Sequence, residues 1–174
     1  SKASTGNLAV HLEKLEAGVS VVQIVGEFED KLNAADLTLL IQKPETPVYV
    51  MADGRHFWRV IDNLMNNICK YAQPGTRVYV DLRENGGQVE LIFRNTSRYP
   101  LNISSEELME RFVRGDESRN TEGSGLGISI AKSLMELMGG SFMLYVDGDL
   151  FKVVLGFAQM EEEKEPLDED KSGK

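Results

Sequence analysis

The chain has 174 residues, of which 41% are hydrophobic and 27% charged, and this composition is typical of one soluble globular domain. Its net charge of −9 argues against nucleic acid as the main partner. No apolar run approaches the roughly 20 residues that cross a bilayer, and the single cysteine excludes an internal disulfide.

Hydrophobic periodicity predicts alternating helices and strands after a small, polar linker at residues 1–7. The predicted elements are a helix at 19–32, short strands at 36–44 and 47–51, a helix at 54–72, a hairpin at 77–95, a short helix at 105–112, a mobile loop at 113–124, a helix at 128–138 and a second hairpin at 141–157.

Local signals mark the ends of several of these elements. Asn85-Gly86-Gly87 is predicted to form the first hairpin turn, and Asp147-Gly148 the second. Ser104 with Glu107 three residues later forms a capping-box pattern, and Gly139-Gly140 is predicted to end the helix at 128–138. Helices interspersed with hairpins predict an α/β sandwich with a mixed sheet covered on one face.

The last fifteen residues, 160–174, have a different composition from the rest. They contain three lysines and seven acids, so that −4 of the net charge lies here. Such a run predicts a solvated, disordered tail, and an acidic docking segment is the alternative. Residues 8–159 are therefore predicted to form the folded domain.

The helix at 54–72 has two chemically different faces. At about 100° per residue, Asn63, Asn67 and Lys70 fall within about 60° of one another, opposite the apolar arc. That arc contains Phe57, Val60, Ile61, Leu64, Met65, Ile68, Cys69 and Ala72. Its position predicts that Cys69 is a core residue and not a nucleophile.

The polar stripe is suited to an anion that carries a metal. Asparagine is a mediocre helix former, and a merely solvated face would more readily use Glu, Lys or Gln. Two carboxamides one turn apart offer hard, neutral oxygen ligands for magnesium, and Lys70 can neutralise phosphate oxygens. Tyr71, at the edge of the stripe, offers a flat apolar face with a polar tip.

The segment NTEGSGLGISIAK, residues 120–132, places Gly123, Gly125 and Gly127 where a helix begins. Glycines here allow backbone N–H groups at a helix start to approach an anion. A hinged loop and a plain surface turn are the alternatives. Together with the stripe of Asn63, Asn67 and Lys70, the segment predicts a site for a nucleoside triphosphate.

Three segments, NLMNNICKYA, ERFVRGDESRN and GSGLGISIAKSLMELMGG, resemble in this order the N-box, F-box and second glycine box of the catalytic, ATP-binding domain of sensor histidine kinases. With the intervening hairpin, the resemblance covers residues 48–157. It implies the Bergerat fold shared with gyrase, MutL and the large ATP-dependent chaperones. This fold is a two-layer α/β sandwich whose mixed, mainly antiparallel sheet has helices on one face and a mobile ATP lid. ATP and Mg²⁺ are the implied cofactors.

The resemblance implies a role for each matching residue of the helix at 54–72. Asn67 would ligate magnesium, and Lys70 would meet the phosphates, so these two are the candidate catalytic residues. Asn63 would line the same pocket, and Tyr71 would flank the adenine.

The resemblance also assigns residues near the lid. Phe112 would anchor its base, whereas Arg114 and Arg119 would reach the phosphates or the partner domain, or remain solvated charges. The turn facing the phosphates would contain Gly123, Ser124, Gly125, Leu126 and Gly127.

The sequence departs from the family pattern at two places. Asn95 stands where the aspartate of the first glycine box, Asp-x-Gly-x-Gly, is expected, and both glycines are missing from RNTSRYPLNI. The threonine often found on the last strand is also unmatched, with Leu150 and Lys152 in that region. An asparagine can accept a hydrogen bond from the adenine amino group and can also donate one, so Asn95 remains a candidate adenine contact.

The residue one turn before Asn67 bears on the type of reaction. The resembling ATPases and serine kinases have a glutamate base one turn before the magnesium asparagine, where this chain has Asn63, which cannot take a proton near neutral pH. Histidine kinases need no such base, because an imidazole nitrogen is already nucleophilic. His11 and His56 do not lie in the context of a phosphoacceptor histidine.

The resemblance therefore implies a chain that holds ATP and passes its γ-phosphoryl group to a histidine on a dimerisation domain of the same protein, outside this sequence. Residues 1–7 would lead from the dimerisation helices, and a response regulator would be a further partner. The chain would be a cytoplasmic domain without direct membrane contact, within a membrane-anchored parent. The alternatives are a degenerate nucleotide-sensing or interaction module and a Bergerat ATPase.

Overall fold

A computed structural model describes residues 9–118 and 126–160. Its helices are α1 (Ala17–Gly26), α2 (Glu29–Ala34), α3 (Gly54–Tyr71), α4 (Ser105–Ser118) and α5 (Leu126–Leu137). Its strands are β1 (Glu13–Glu16), β2 (Thr38–Gln42), β3 (Tyr49–Ala52), β4 (Arg77–Asn85), β5 (Gln88–Thr96), β6 (Ser141–Asp147) and β7 (Leu150–Met160).

The strands form one sheet in the order β1-β3-β7-β5-β4-β2, and β6 also pairs with β7. The β2–β4 pair is parallel, and the other pairs in the described ranges are antiparallel. Alternate residues of the long strands point into one apolar core, which the helices cover. The predicted two-layer α/β sandwich with a mixed, mainly antiparallel sheet is confirmed.

Helix α3 lies at the centre of this core. Six side chains of its apolar arc are no more than 2% exposed: Phe57, Val60, Ile61, Leu64, Met65 and Ile68. Each such burial stabilises the fold by about 1.5–3 kcal/mol. Cys69 is half-buried against the same cluster, and burial raises the pKa of its thiol. The thiol therefore stays protonated, which agrees with its predicted role in the core.

The predicted glycine turns are also confirmed. Gly86 and Gly87 have φ angles of 56° and 85°, and the flanking Asn85 and Gln88 are register partners. Positive φ at both central residues is the requirement of a type I′ hairpin. At the end of α5, Gly139 has a φ of 80°, the left-handed conformation that closes many helices.

The predicted helix at 19–32 is wrong, because the structure has two helices there. Backbone hydrogen bonds from Glu27 to Ile24 and from Phe28 to Val25 tighten the chain after Gly26. This turn places Phe28 in the core at 3% exposure. Glycine is a poor helix former, and burying Phe28 stabilises the break.

Two further boundaries differ from prediction. The helix at 105–112 continues to Ser118, so residues 113–118 are not loop; one glycine costs an already nucleated helix only about 1 kcal/mol. Residues 119–124 lie outside the described ranges. Helix α5 begins at Leu126 and not at 128, which places Gly127 in its first turn.

Both ends of the domain also differ from prediction. Strand β1 was not predicted, since EKLE is short and polar, and its pairing with β3 determines its conformation. Met160, assigned by the sequence to the tail, is the last residue of β7. The rest of the predicted tail and the linker at 1–7 lie outside the described ranges.

Candidate nucleotide site

Helix α3 positions the predicted polar stripe. Asn63, Asn67 and Tyr71 are partly buried, whereas Lys70 is exposed. The Nζ atom of Lys70 lies 5.4 Å from the centroid of the Tyr71 ring, within the range of a cation–π contact. The neighbouring Asn66 differs from these residues, because its Oδ1 atom accepts a hydrogen bond of 2.9 Å from Lys31 of α2.

The first turn of α5 lies directly against Asn63. A Cβ atom at Gly127 would be 3.4 Å from Cβ and 3.5 Å from Oδ1 of Asn63. The Nδ2 atom of Asn63 is buried and has no hydrogen-bond partner within the described ranges. Leaving a buried donor unpaired costs about 1–3 kcal/mol.

Hydrogen-bond donors lie close together at the contact between Asn63 and the first turn of α5. The first N–H groups of an α-helix have no partner within the helix, and the helix dipole adds positive potential at that end. Beside them lies the buried amide of Asn63, which has no hydrogen-bond partner among the described residues. The contact between α3 and α5 is therefore chemically suited to an anionic group.

The other end of α3 is joined to the end of β5. The Tyr71 carbonyl accepts a hydrogen bond of 2.9 Å from Arg98 N, and Gln73 N donates one of 2.8 Å to Thr96 O. These backbone bonds hold Tyr71 near the end of β5, where Asn95 is located. The structure thus brings the N-box and the position of the first glycine box together.

Asn95 lies on the helix-covered face of the sheet. It shares this face of β5 with buried Val89, Leu91 and Phe93, and it is 5% exposed. Its register partner on β7 is Phe151. The ring of Phe151 meets that of Phe112 edge-on, with centroids 6.3 Å apart at 84°. Phe112 of α4 is therefore linked to Asn95 through Phe151.

Phe151 was not singled out from the sequence, whereas its two neighbours were. Leu150 and Lys152 alternate with Phe151 and so lie on the opposite face of the sheet. There, Nζ of Lys152 lies 5.3 Å from the centroid of the Tyr145 ring. The alternating apolar pattern of β7 is the signal that could have identified Phe151.

The segment that replaces the first glycine box is held by hydrogen bonds. Ser97 N donates to Asp149 O at 2.7 Å, and Leu101 N to Gly148 O at 3.0 Å. The hydroxyl of Ser97 accepts a further bond of 3.2 Å from Tyr99 N. No residue of this segment has a positive φ, so its backbone does not need glycine.

The remaining predicted site residues belong to the segment 114–126. Arg119, Gly123, Ser124 and Gly125 lie outside the described ranges, and Leu126 is the first residue of α5. Arg114 belongs to α4. The roles predicted for these residues remain predictions.

Two kinds of feature are absent from the described residues. No group of three or more His, Cys, Asp and Glu side chains in these ranges is placed to hold a metal ion. No helix in these ranges is long and apolar enough to cross a membrane.

Known proteins share both the sequence pattern and the fold. The chain is 29% identical over 137 residues to the probable sensor kinase SilS of Salmonella typhimurium, which covers 77% of this chain and 28% of SilS. The chain thus spans less than a third of that relative.

Solved structures support the same fold. The catalytic domain of histidine kinase ThkA matches with a TM-score of 0.73 at 18% identity, covering 86% of this chain and 96% of that domain. Full-length ShkA in complex with AMPPNP matches with a TM-score of 0.73 at 18% identity, covering 92% of this chain and 34% of ShkA.

The family model described as histidine kinase-, DNA gyrase B-, and HSP90-like ATPase matches residues 52–166. This range contains α3, the site of Asn95 and the glycine-rich start of α5, and it is well over half of the chain. The chain therefore belongs to this family, and within it is a catalytic domain of the sensor histidine kinase type.

Proposed function

We propose that this chain binds ATP with Mg²⁺ and transfers the γ-phosphoryl group to a histidine on a dimerisation domain of the same protein. The observation that carries this proposal is the contact between Asn63 and the first turn of α5, where a buried amide donor without a described partner lies beside helix N–H groups. Such converging donors are typical of a phosphate site.

The residues of α3 fit a magnesium-bound triphosphate. The side-chain oxygen of Asn67 is a hard, neutral ligand of the kind that Mg²⁺ accepts, and Lys70 supplies positive charge one turn further along. Asn63 and the backbone of Gly127 would donate to phosphate oxygens. Bound magnesium would neutralise part of the phosphate charge.

The base side of the site would be formed by other residues. Tyr71 would flank adenine, and Asn95 would exchange hydrogen bonds with its edge. Phe112 would hold the base of the lid through its contact with Phe151. The residues from Arg119 to Leu126 would complete the phosphate side.

The reaction follows from what the site contains. Asn63 cannot act as a general base, so the site would not activate water or a serine hydroxyl. An imidazole nitrogen needs no such activation and would attack the γ-phosphorus while the bond to the bridging oxygen of ADP breaks. Lys70 and the N–H groups of α5 would stabilise the charge on the transferred group.

The chain spans only 28% of SilS. The proposal therefore also concerns parts of the protein that lie outside this sequence. The phosphoacceptor histidine would lie on dimerisation helices joined through residues 1–7. A response regulator would receive the phosphoryl group, and the domain would be cytoplasmic in a membrane-anchored parent. The AMPPNP complex of ShkA supports the choice of nucleotide.

Labelled ATP tests the proposal in two steps. The isolated chain should bind ATP yet show no steady hydrolysis at the rates of about 1 per second or more that are common for enzymes. The chain joined to its dimerisation helices should gain labelled phosphohistidine there. Rapid turnover by the isolated chain would indicate an ATPase instead, and label on His11 or His56 would show that the acceptor was misassigned.

A further inference from the structure

The segment that leads into β1 is held by side chains where strand pairing ends. Glu13 and Ala52 are the last register partners of β1 and β3, since the chain after Ala52 turns into α3. Beyond this point, His11 N donates to Asp53 Oδ2 at 2.9 Å, and His56 Nε2 lies 3.2 Å from Ala9 O.

These two side-chain contacts take the place of the backbone hydrogen bonds that a neighbouring strand would provide. In an extended chain, the C=O of one residue and the N–H two residues later point to the same side and are paired together in a ladder. Ala9 and His11 present this pair. Asp53 supplies the acceptor and His56 the donor, so we name the two side chains the α3 clasp.

Asp53 also forms the start of α3. Its Oδ1 atom accepts from the backbone N–H of Arg55 at 3.0 Å and of His56 at 3.2 Å, which is the geometry of an N-cap. Burial by itself raises the pKa of Asp53, but the N–H groups of His11 and His56 and the nearby imidazole outweigh it and hold this pKa below its usual value. The carboxylate is therefore ionised at neutral pH, and its hydrogen bonds are charge-assisted.

We propose that Asp53 and His56 are positioning residues, which fix the incoming chain to the first turn of the helix that carries Asn63 and Asn67. The proposal rests on the proposed function, because the incoming chain is then the connection to the phosphoacceptor domain. Asn67 lies 14 residues after Asp53 on one unbroken helix, a distance of about 21 Å along its axis. A shift of the incoming chain would thus reorient the nucleotide relative to the histidine.

Variants of His56 in the kinase with its dimerisation domain test this role. His56→Ala should lower kcat for autophosphorylation by roughly tenfold or more, because small misplacements of reacting groups reduce rates steeply. The KM for ATP should change by less than about twofold, since nucleotide contacts remain. His56→Gln, whose amide can still donate to Ala9 O, should restore most of the rate.

Asp53→Asn separates the clasp from the helix cap. The remaining oxygen can cap α3, whereas the new amide nitrogen faces the N–H of His11 and cannot accept from it. This variant should lose rate as His56→Ala does. Arg59→Ala, on the exposed surface of the same helix, is the control and should keep the wild-type rate.

Wild-type kcat in both clasp variants would overturn the proposal. A wild-type kinase that never phosphorylates its histidine would instead refute the proposed function. In that case, hydrogen exchange in the isolated chain still tests the clasp. The His11 amide should exchange roughly tenfold faster in Asp53→Asn, as expected when a native hydrogen bond worth about 1.4 kcal/mol is lost; unchanged exchange would also overturn the clasp.

Discussion

Two segments of this chain correspond to glycine boxes of the resembling family, and only one of them keeps the glycines. The segment after β5 has lost its glycines and is held by backbone hydrogen bonds to the turn between β6 and β7. The start of α5 has kept its glycines, and Gly127 lies against Asn63. We infer that, in the proposed site, the phosphate side keeps the family pattern, whereas the base side is rebuilt around Asn95.

There is a physical reason why glycines are kept at the start of α5 but not in the segment after β5. Phosphate is bound by backbone N–H groups, which require close approach of the main chain and therefore tolerate few side chains. A base edge is recognised by side-chain donors and acceptors, and different residues can provide these. The base side can thus change without loss of the phosphate side.

The largest effect is expected on the phosphate side, for Asn67→Ala. Loss of a metal ligand should weaken ATP binding in the presence of Mg²⁺ by more than the roughly 10–100-fold typical of outer-shell partners. Titration calorimetry measures this, and circular dichroism should show an intact fold. Asn66→Ala is the matched control, because Asn66 bonds to Lys31. Equal affinities of the two variants would remove Asn67 from the site.

An intermediate effect is expected on the base side. Asn95→Ala should weaken ATP binding by about 1–3 kcal/mol, the cost of leaving a buried polar partner unsatisfied. It should have less effect on inorganic triphosphate, which has no base. If competition binding shows no change for ATP, Asn95 is only a strand residue, and other groups recognise adenine.

The smallest effect is expected for Gly127→Ala, in which stability and affinity should change in opposite directions. Alanine favours a helix over glycine by up to about 1 kcal/mol, so the melting temperature should rise slightly. The added methyl group would restrict access to the first N–H groups of α5, and ATP should bind a few-fold more weakly. A tighter complex would show that phosphate does not approach this turn.

The sequence was sufficient for elements whose signals are local. Helix α3 has a strong apolar arc, and the hairpin at Gly86-Gly87 has a turn that requires glycine. The break between α1 and α2 was not predictable in this way, because the apolar pattern continues through Phe28, and only packing shows that the chain turns there.

Only the placement of some candidate site residues was predictable in this way. Helical periodicity puts Asn63 and Asn67 on one face of α3, and the structure places Gly127, at the glycine-rich start of α5, against Asn63. The roles of these residues remain predictions. Phe151 depends on which residue of β7 pairs with Asn95, and this register is a long-range property of the sheet. The role of Asp53 likewise depends on the path of the chain before β1.

Competition between ATP and GTP tests the contrast between the two sides most directly. An aspartate would repel the carbonyl of guanine, whereas Asn95 can rotate its amide and accept the reversed pattern. We predict that ATP is preferred over GTP by less than about a hundredfold, and that Asn95→Asp increases this preference. A wild-type preference of about 10⁴-fold or more, the value of a site built on base hydrogen bonds, would contradict a rebuilt base side.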